Sequence, residues 1–85
     1  MENVYKPLGG AVEAVEFTAT ANAKFLDTPL AELGRRLKPG ILVAAIAREG
    51  KTIIPDGSTS IRAGDKVIIM AKSLFLQELD DILEA

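Results

Sequence analysis

The sequence predicts one small domain in which β-strands combine with two short helices, in the order β-α-β-β-β-α. Three patterns support this order: apolar and polar residues alternate near the start, a nearly unbroken apolar run lies in the middle, and two segments carry leucines at helical spacing. At 85 residues the chain is too short for two independent cores. All of these elements must therefore pack around a single core.

The first predicted strand follows a polar opening segment. Residues 1–10 are mostly polar and end near a proline and two glycines, which predicts a linker or arm. Within residues 11–20, Val15, Phe17 and Ala19 alternate with polar side chains. This period of two is typical of a strand with one buried face.

The first helix is predicted directly after an irregular segment. Thr28 is a suitable N-cap and Pro29 suits the first helical position. Gly34 weakens such a helix by about 1 kcal/mol relative to alanine, and Pro39 with Gly40 ends it. The apolar stripe that packs this helix on the core consists of Leu30, Leu33 and Leu37.

The middle of the chain is predicted to form three strands. Residues 41–47 are all apolar, which is typical of a strand covered on both faces. One helix layer covers one face, so the other face needs either a curled sheet or a second copy of the chain. Residues 52–54 form the return strand of a hairpin, and residues 66–71 form a further strand after two glycine-containing turns.

A second helix is predicted at the end of the chain, with Ser73 as its cap. Its acidic side chains lie on the opposite face from its apolar ones, as expected for a helix packed on one side. The apolar face consists of Phe75, Leu76, Leu79, Ile82 and Leu83.

The composition excludes several classes of function. The chain has no cysteine and no histidine, so it lacks disulfides, thiolate metal sites and the commonest general base. Ten basic residues balance twelve acidic ones without a basic block, which argues against a nucleic-acid partner. No apolar run reaches the length of a membrane span and the start has no secretory signal, so we expect a cytoplasmic protein.

Few side chains in the sequence suggest chemistry. Arg35 and Arg36 could bind a phosphate or carboxylate, but arginines at a helix end also simply favour the helix dipole. Asp56 and Asp65 could bind a cation, but aspartate is common in glycine-containing turns for backbone reasons. The serines have no histidine base, so catalysis finds no support.

Several short motifs together resemble the TrkA C-terminal (RCK-C) domain of potassium uptake and channel regulatory proteins. Their order and spacing carry the resemblance, which spans residues 9–83. The motifs are Thr28-Pro29-Leu30, Val43-Ala44-Ala45-Ile46, Arg48-Glu49-Gly50, Ile53-Ile54-Pro55-Asp56-Gly57 and Ala63-Gly64-Asp65-Lys66-Val67.

The resemblance implies a fold and an assembly. It implies an α+β fold, a small two-layer sandwich with a mainly antiparallel sheet and two helices, over residues 11–85. Domains of this family pair as dimers, so a homodimer is expected here. A small-molecule effector that binds in the cleft between the two copies is expected as well.

The resemblance also implies a function. Such domains regulate Trk-type potassium uptake systems from the cytoplasm, at the inner face of the plasma membrane, through a membrane-embedded potassium transporter subunit. They usually follow a domain that binds NAD or ATP. This chain contains no G-x-G-x-x-G motif, so no cofactor is expected on it.

The resemblance further implies a ligand site. In some family members the cleft binds cyclic di-AMP, and those members carry an asparagine near the position of Leu42 together with a histidine. This chain has neither group, which argues against cyclic di-AMP because polar groups orient a ligand in a mostly apolar pocket. The positions that match the family site are Arg36, Ile41, Leu42, Val43, Ile53 and Pro55.

Two alternatives remain open from the sequence. The domain could be a purely structural dimerisation module, in which the apolar strand is plain core and no effector binds. It could also be the same regulatory module attached to a cation/proton antiporter, a channel or an anion permease.

Overall fold

The structure is a computed structural model, and it describes residues 3–72, 76 and 78–84. Five strands and one α-helix make up the regular structure of these residues, together with three short 3-10 helices. The strands are β1 (Asn3–Tyr5), β2 (Glu13–Thr18), β3 (Ile41–Arg48), β4 (Lys51–Ile53) and β5 (Lys66–Ala71). The α-helix is α1 (Leu30–Leu33), and the 3-10 helices are Leu8–Gly10, Gly34–Arg36 and Leu79–Ile82.

All five strands belong to one antiparallel sheet with the order β1-β2-β5-β3-β4. The predicted α+β class with a mainly antiparallel sheet is therefore confirmed. The central strand β5 pairs with β2 on one side and with β3 on the other. A register shift between Val43 and Ala45 interrupts the pairing of β3 with β5.

One face of the sheet carries the core. The alternation predicted for β2 is confirmed, because Val15, Phe17 and Ala19 are buried. Side chains from the helices and loops cover this face as a second layer. The buried apolar side chains are Val15, Phe17, Ala19, Phe25, Leu33, Val43, Ile46, Ile61, Val67, Ile69, Ala71, Leu76, Leu79 and Ile82.

The first helix forms as predicted but begins one residue later and lasts a single turn. Pro29 is the N-cap, whereas Thr28 was the predicted cap; the Thr28 hydroxyl instead donates to the Leu26 carbonyl at 3.5 Å. After Leu33 the chain tightens into the 3-10 helix that begins at Gly34. None of the helices in the described residues is long and apolar enough to cross a membrane.

The predicted second α-helix is wrong for the residues that the structure describes. Ser73 and Phe75 lie outside the described residues, and Leu79–Ile82 forms a 3-10 helix. The Lys38 N–H donates to the Ile82 carbonyl and the Glu84 N–H donates to the Arg36 carbonyl, both at 2.8 Å. This pairing with the segment after α1 requires extended backbone, so a helix cannot continue through it.

The segment predicted as a linker contains regular structure. β1 pairs with β2 at the edge of the sheet, and Lys6 lies 3.8 Å from the Glu13 carboxylate. The side chains of β1 are all exposed. The segment thus extends the sheet without contributing to the core.

The expectation that β3 is covered on both faces is not met within one chain. Val43 and Ile46 face the core, whereas Leu42 is 61% exposed and Ala47 is exposed as well. Within the residues that the structure describes, the sheet does not curl over this outer face.

Candidate functional site

The start of β3, the helix α1 and the turn after β4 enclose an open groove. Its volume is about 320 Å³. The groove lies where the sheet and the helical layer meet, at the end of β3 that β4 does not cover. Its lining residues are Leu30, Ala31, Leu37, Ile41, Leu42, Val43, Pro55, Asp56 and Gly57.

The groove gathers four of the six residues that the family resemblance selected. Ile41, Leu42, Val43 and Pro55 line it. Their position follows from the topology, because β3 begins at the groove and the chain returns to it after β4.

The other two predicted residues do not line the groove. Arg36 is exposed at the end of the 3-10 helix Gly34–Arg36. Ile53 pairs with Ile46 in the β3–β4 ladder and packs against the core. Arg36 immediately precedes Leu37, which does line the groove.

Backbone hydrogen bonds hold the two walls of the groove together. The Leu30 N–H donates to the Thr59 carbonyl at 2.8 Å, and the Ala31 N–H donates to the Gly57 carbonyl at 2.9 Å. A bridge between Pro29 and Ser60 continues this contact. The free N–H groups at the start of α1 therefore bind the turn instead of a side-chain cap.

Gly57 is needed where the turn meets the helix. A Cβ atom at this position would lie 3.2 Å from the Cβ of Ala31, which is closer than ordinary contact. A larger residue would push the turn away from α1. The glycine therefore sets the width of the groove.

Most of the groove is apolar, and Asp56 is the one charged residue among its lining residues. The Ser58 hydroxyl donates to Asp56 Oδ1 at 2.7 Å and the Ser58 N–H does so at 2.9 Å. These hydrogen bonds hold the pKa of Asp56 below its ordinary value, and the bond from the Ser58 hydroxyl has the largest effect. The groove thus combines apolar walls with one carboxylate that is ionised at neutral pH, an arrangement suited to binding.

An ion pair that the sequence did not predict joins Arg48, at the end of β3, to Asp65, just before β5. Arg48 Nε lies 2.9 Å from Asp65 Oδ1 and Arg48 Nη2 lies 2.7 Å from Asp65 Oδ2. Arg48 Nη2 also donates to the Ser60 carbonyl at 2.8 Å, and the Arg62 N–H donates to Asp65 Oδ2 at 2.9 Å. The pair therefore ties the end of β3 to the segment that supports α1.

A signal for this pair was present in the sequence. Arg48 follows Ile46 by two residues in β3, so it shares the core-facing side of the strand. A core-facing arginine needs a charged partner. Asp65 immediately precedes β5, the neighbour of β3, and is only 1% exposed.

The environment of Asp65 shifts its titration. Burial raises the pKa of Asp65, but the hydrogen bonds from Arg48 and from the Arg62 N–H, together with the two arginine charges, outweigh burial. The pKa of Asp65 consequently lies below its ordinary value. The same hydrogen bond raises the pKa of the Arg48 guanidinium.

Another depression, of about 360 Å³, lies between the end of β2 and the 3-10 helix Leu79–Ile82. Its lining includes Thr18, Thr20 and Asn22, and it contains none of the predicted site residues. The groove beside β3 is therefore the candidate site.

Comparison with known proteins identifies relatives of this chain. In Methanosarcina mazei, Trk system potassium uptake protein TrkA homolog 2 is 30% identical over 76 residues, which cover 89% of this chain and 16% of that protein. The Archaeoglobus fulgidus TrkA homolog is 35% identical over 74 residues, covering 87% of this chain and 16% of that protein. The Pyrococcus abyssi TrkA homolog is 31% identical over 83 residues, covering 98% of this chain and 36% of that protein. The chain thus spans about a sixth to a third of the length of these curated relatives.

A solved structure and a family model agree with these relatives. The structure of an RCK domain with cda superposes with a TM-score of 0.60 at 27% identity, covering 84% of this chain and 97% of that chain. The model of the TrkA-C domain matches residues 14–84. On this match and these relatives, the chain belongs to the TrkA-C domain family.

Proposed function

We propose that this chain is a regulatory domain of a Trk-type potassium uptake system and that it senses an effector without catalysing a reaction. Its relatives carry the name of potassium uptake protein TrkA, and it corresponds to a part of their length. We place the domain in the cytoplasm at the inner face of the plasma membrane. There it acts on a membrane-embedded potassium transporter subunit, and an NAD or ATP site would belong to another domain of the longer protein.

The main support for this proposal is the groove at the start of β3. Four positions chosen from the family resemblance line one apolar depression of about 320 Å³. A pocket of this size with mostly apolar walls is typical of a small-molecule site. The similar RCK domain, which was determined with cda, supports a ligand site in this fold.

The groove suggests which effectors suit this chain. Leu42 is exposed at the groove and offers no hydrogen bond, and the Asp56 carboxylate repels an anion placed directly beside it. The walls favour a flat apolar moiety such as an aromatic hydrocarbon ring, with any phosphate directed away from Asp56. Arg36 is exposed and precedes the groove residue Leu37 in the chain, and we assign it as the cation that pairs with such a phosphate.

The mechanism is allosteric. Two copies of the domain form a homodimer, and the effector binds one arrangement of the two copies better than another. Only this differential affinity shifts the equilibrium, and a coupling of about 1–3 kcal/mol is typical. The shift would bias the transporter through the preceding part of the longer protein.

A thermal-shift screen tests the proposal. The panel comprises mononucleotides, dinucleotides and cyclic dinucleotide second messengers. A ligand that binds only the folded state stabilises it by about 2.7 kcal/mol at a hundred times its Kd, so the melting temperature should rise with ligand concentration. If no compound in the panel shifts the melting temperature, the sensing proposal fails and a purely structural dimerisation module remains.

A matched pair of variants connects a positive result to the groove. Ala31→Leu fills the groove from the exposed surface of α1, so it should abolish the ligand-induced shift. Glu32→Leu adds the same side chain at the next exposed position, outside the groove, and should keep the shift. A shift that survives Ala31→Leu would assign the ligand to another site.

A further inference from the structure

The first strand of the sheet is not needed by the core. All three residues of β1 are exposed, and none of them belongs to the core or packs against it. β1 pairs with β2 at only three positions: Asn3 with Glu16, Val4 with Val15 and Tyr5 with Ala14. On its other side β2 pairs with β5 at six positions. The strand β2 therefore keeps its place in the sheet if β1 leaves.

The turn that joins β1 to β2 is strained. Leu8, Gly9 and Gly10 all have positive φ angles, of 55°, 65° and 90°. The two glycines adopt this region freely, but a leucine does so at a cost because its Cβ approaches the following carbonyl oxygen. Leu8 is also 80% exposed, so packing does not offset the cost. Opening the turn would relieve this strain and thus favours release of β1.

The surface beneath β1 is the edge of β2. The family model begins at residue 14, inside β2, so β1 and the strained turn lie outside the matched region. A strand edge without a neighbour presents a row of N–H and C=O groups that can pair with another extended chain. Release of β1 would therefore free a site for strand addition.

The charges of β2 indicate what kind of strand fits this site. Glu13 lies 3.8 Å from the Nζ of Lys6, whose side chain is 63% exposed. Glu16 lies opposite Asn3, which carries no charge. Among the described residues, no hydrogen bond or ion pair involves the Glu16 side chain. Because opposite charges on facing strands attract, a basic residue suits this position better than asparagine.

The residue next to this position calls for an apolar partner. Val15 of β2 is fully buried, and Val4 of β1 lies opposite it on the core-facing side of the sheet. Val4 is itself 44% exposed, so β1 covers Val15 with a side chain that is only partly buried. A larger apolar residue would have room to cover Val15 more completely.

We propose that β1 is a detachable strand, and that an extended segment of a partner protein replaces it on β2. This segment would run antiparallel to β2, with an apolar residue opposite Val15 and a basic residue opposite Glu16. β1 then acts as a built-in competitor, so the apparent affinity for the segment depends on the fraction of molecules in which β1 is released. The site does not involve the groove, which is lined from β3 on the far side of β5.

Hydrogen exchange tests whether β1 detaches. Those amides of β1 that point toward β2 should exchange much faster than the amides of β5 under conditions in which the core stays folded. If they exchange only as slowly as the amides of β5, β1 opens only with the whole domain and the proposal is wrong.

Tyr5 reports the position of β1 directly. It is the single tyrosine of the chain, there is no tryptophan, and its side chain is 69% exposed. The fluorescence anisotropy of Tyr5 in the full chain should therefore fall when β1 is displaced, because the residue then moves with a free arm.

Three peptides test the chemistry of the partner. Each has the sequence of residues 1–8 with Tyr5→Phe, so that only the protein carries a tyrosine, and they differ only in asparagine, lysine or glutamate at position 3. The lysine peptide should displace β1 at a concentration up to about fivefold lower than the asparagine peptide, and the glutamate peptide should be the weakest. Equal effects of all three would overturn the charge match. Binding that leaves the anisotropy of Tyr5 unchanged would place the peptides elsewhere and overturn the displacement.

Two variants of the full chain complete the test. Glu16→Lys should reverse the order, with the glutamate peptide now displacing β1 at the lowest concentration. Asn3→Lys changes an exposed residue, so the fold is not at risk even if Glu16→Lys fails to fold. It should dock β1 more firmly, raise the anisotropy of Tyr5 and weaken displacement by every peptide. Displacement that is as easy in Asn3→Lys as in the parent chain would contradict the proposal.

This inference and the sensing proposal can fail separately. Displacement of β1 by the lysine peptide, without any ligand-induced melting shift, would keep the detachable strand and reject the sensing. A melting shift in a chain whose β1 never detaches would keep the sensing and reject the detachable strand.

Discussion

At the scale of single residues, the ion pair between Arg48 and Asp65 joins the end of β3 to the turn before β5. Asp65 is almost fully buried and accepts hydrogen bonds from Arg48 and from the Arg62 N–H. Arg48 in turn donates to the carbonyl of Ser60, which bridges to Pro29 at the start of α1. The ion pair is thus connected through Ser60 to Pro29, at the start of the helix that lines the groove.

Asp65→Asn should destabilise the domain. The substitution removes the negative charge opposite Arg48. The guanidinium, whose side chain is only 20% exposed, then has no counter-charge. Breaking a buried pair on one side costs about 3 kcal/mol. Urea unfolding followed by circular dichroism measures the loss.

Asp56→Asn is the matched control for this prediction. Asp56 is exposed and accepts from Ser58, a hydrogen bond that an asparagine oxygen can still accept. The urea unfolding midpoint of Asp56→Asn should stay close to that of the parent chain. An equal loss in both variants would contradict a special role for the buried pair.

The same carboxylate predicts how stability depends on pH. The folded-state pKa of Asp65 lies below its ordinary value of 3.8, so the unfolded chain binds a proton more readily. The stabilisation is complete above about pH 5 and is lost as the pH falls through 3.8 and below. Urea midpoints measured from neutral to acidic pH should fall in this range, and the fall should be smaller in Asp65→Asn. An unchanged acid dependence in that variant would assign the effect to other carboxylates.

The sequence predicted the position of Asp65 but not its role. The Ala63-Gly64-Asp65 turn is visible in the sequence, and so is the strand that carries Arg48. Their contact joins residues 17 positions apart, and it depends on the pairing of β3 with β5. The expected interpretation was a turn aspartate that bonds to local backbone groups; the Arg62 N–H does donate to Asp65, and the register adds the ion pair with Arg48.

At the scale of elements, short-range signals placed the segments well but overestimated the helices. The leucine stripe of α1 is confirmed, since Leu33 is buried and Leu30 and Leu37 pack against the core. The helix ends after one turn because the segment that follows it pairs with distant residues: the Lys38 N–H donates to the Ile82 carbonyl, and the Arg36 carbonyl accepts from the Glu84 N–H. In a domain this small, such tertiary hydrogen bonds outweigh helix propensity, which amounts to tenths of a kcal/mol per residue.

Gly34→Ala should stabilise the domain. Gly34 has φ −55° and ψ −26°, and a Cβ there would meet nothing within 4 Å. Alanine fits this helical conformation and restricts the unfolded chain, which stabilises by about 0.4–1 kcal/mol. The melting temperature measures the gain.

Gly50→Ala is the matched control, and its expected effect on the melting temperature is the opposite. The Cβ would also meet nothing, but φ is +76° in the hairpin turn between β3 and β4. The left-handed conformation costs a side chain about 1 kcal/mol or more, so this variant should melt lower than the parent chain. A gain in both variants would mean that the turn relaxes out of the left-handed region.

At the scale of the whole molecule, a small core leaves apolar surface exposed. Among the residues that the structure describes, the fold covers one face of the sheet and leaves the start of β3 uncovered at its edge and on its outer face. Association of two copies in the proposed homodimer would cover this surface. The stability of the domain should then depend on its concentration.

Leu42→Lys should convert the proposed dimer to a monomer. Leu42 is 61% exposed, so the fold of one copy tolerates the change, whereas two lysines would meet near the two-fold axis. Sedimentation should show monomers, and the melting temperature should no longer rise with concentration. Tyr5→Lys, at an exposed position on the opposite edge strand, should remain dimeric. A dimeric Leu42→Lys variant would contradict a dimer contact at the start of β3.

The sequence by itself determined the family, the order of the four strands β2 to β5 along the chain, the buried face of β2 and the first helix. Each of these depends on residues that are close in the chain, where periodicity and turn chemistry act directly. The motif order also selected Ile41, Leu42, Val43 and Pro55, which the fold brings to one groove.

Only the tertiary structure decided the sheet order, the Arg48–Asp65 pair, the short helices and how far β4 extends along β3. All four depend on which distant segments lie side by side. The short reach of β4 along β3 is the clearest case, because strand length is visible in the sequence but pairing length is not. The register between strands is a property of the whole sheet, and it determines which backbone groups and side chains remain without a neighbour.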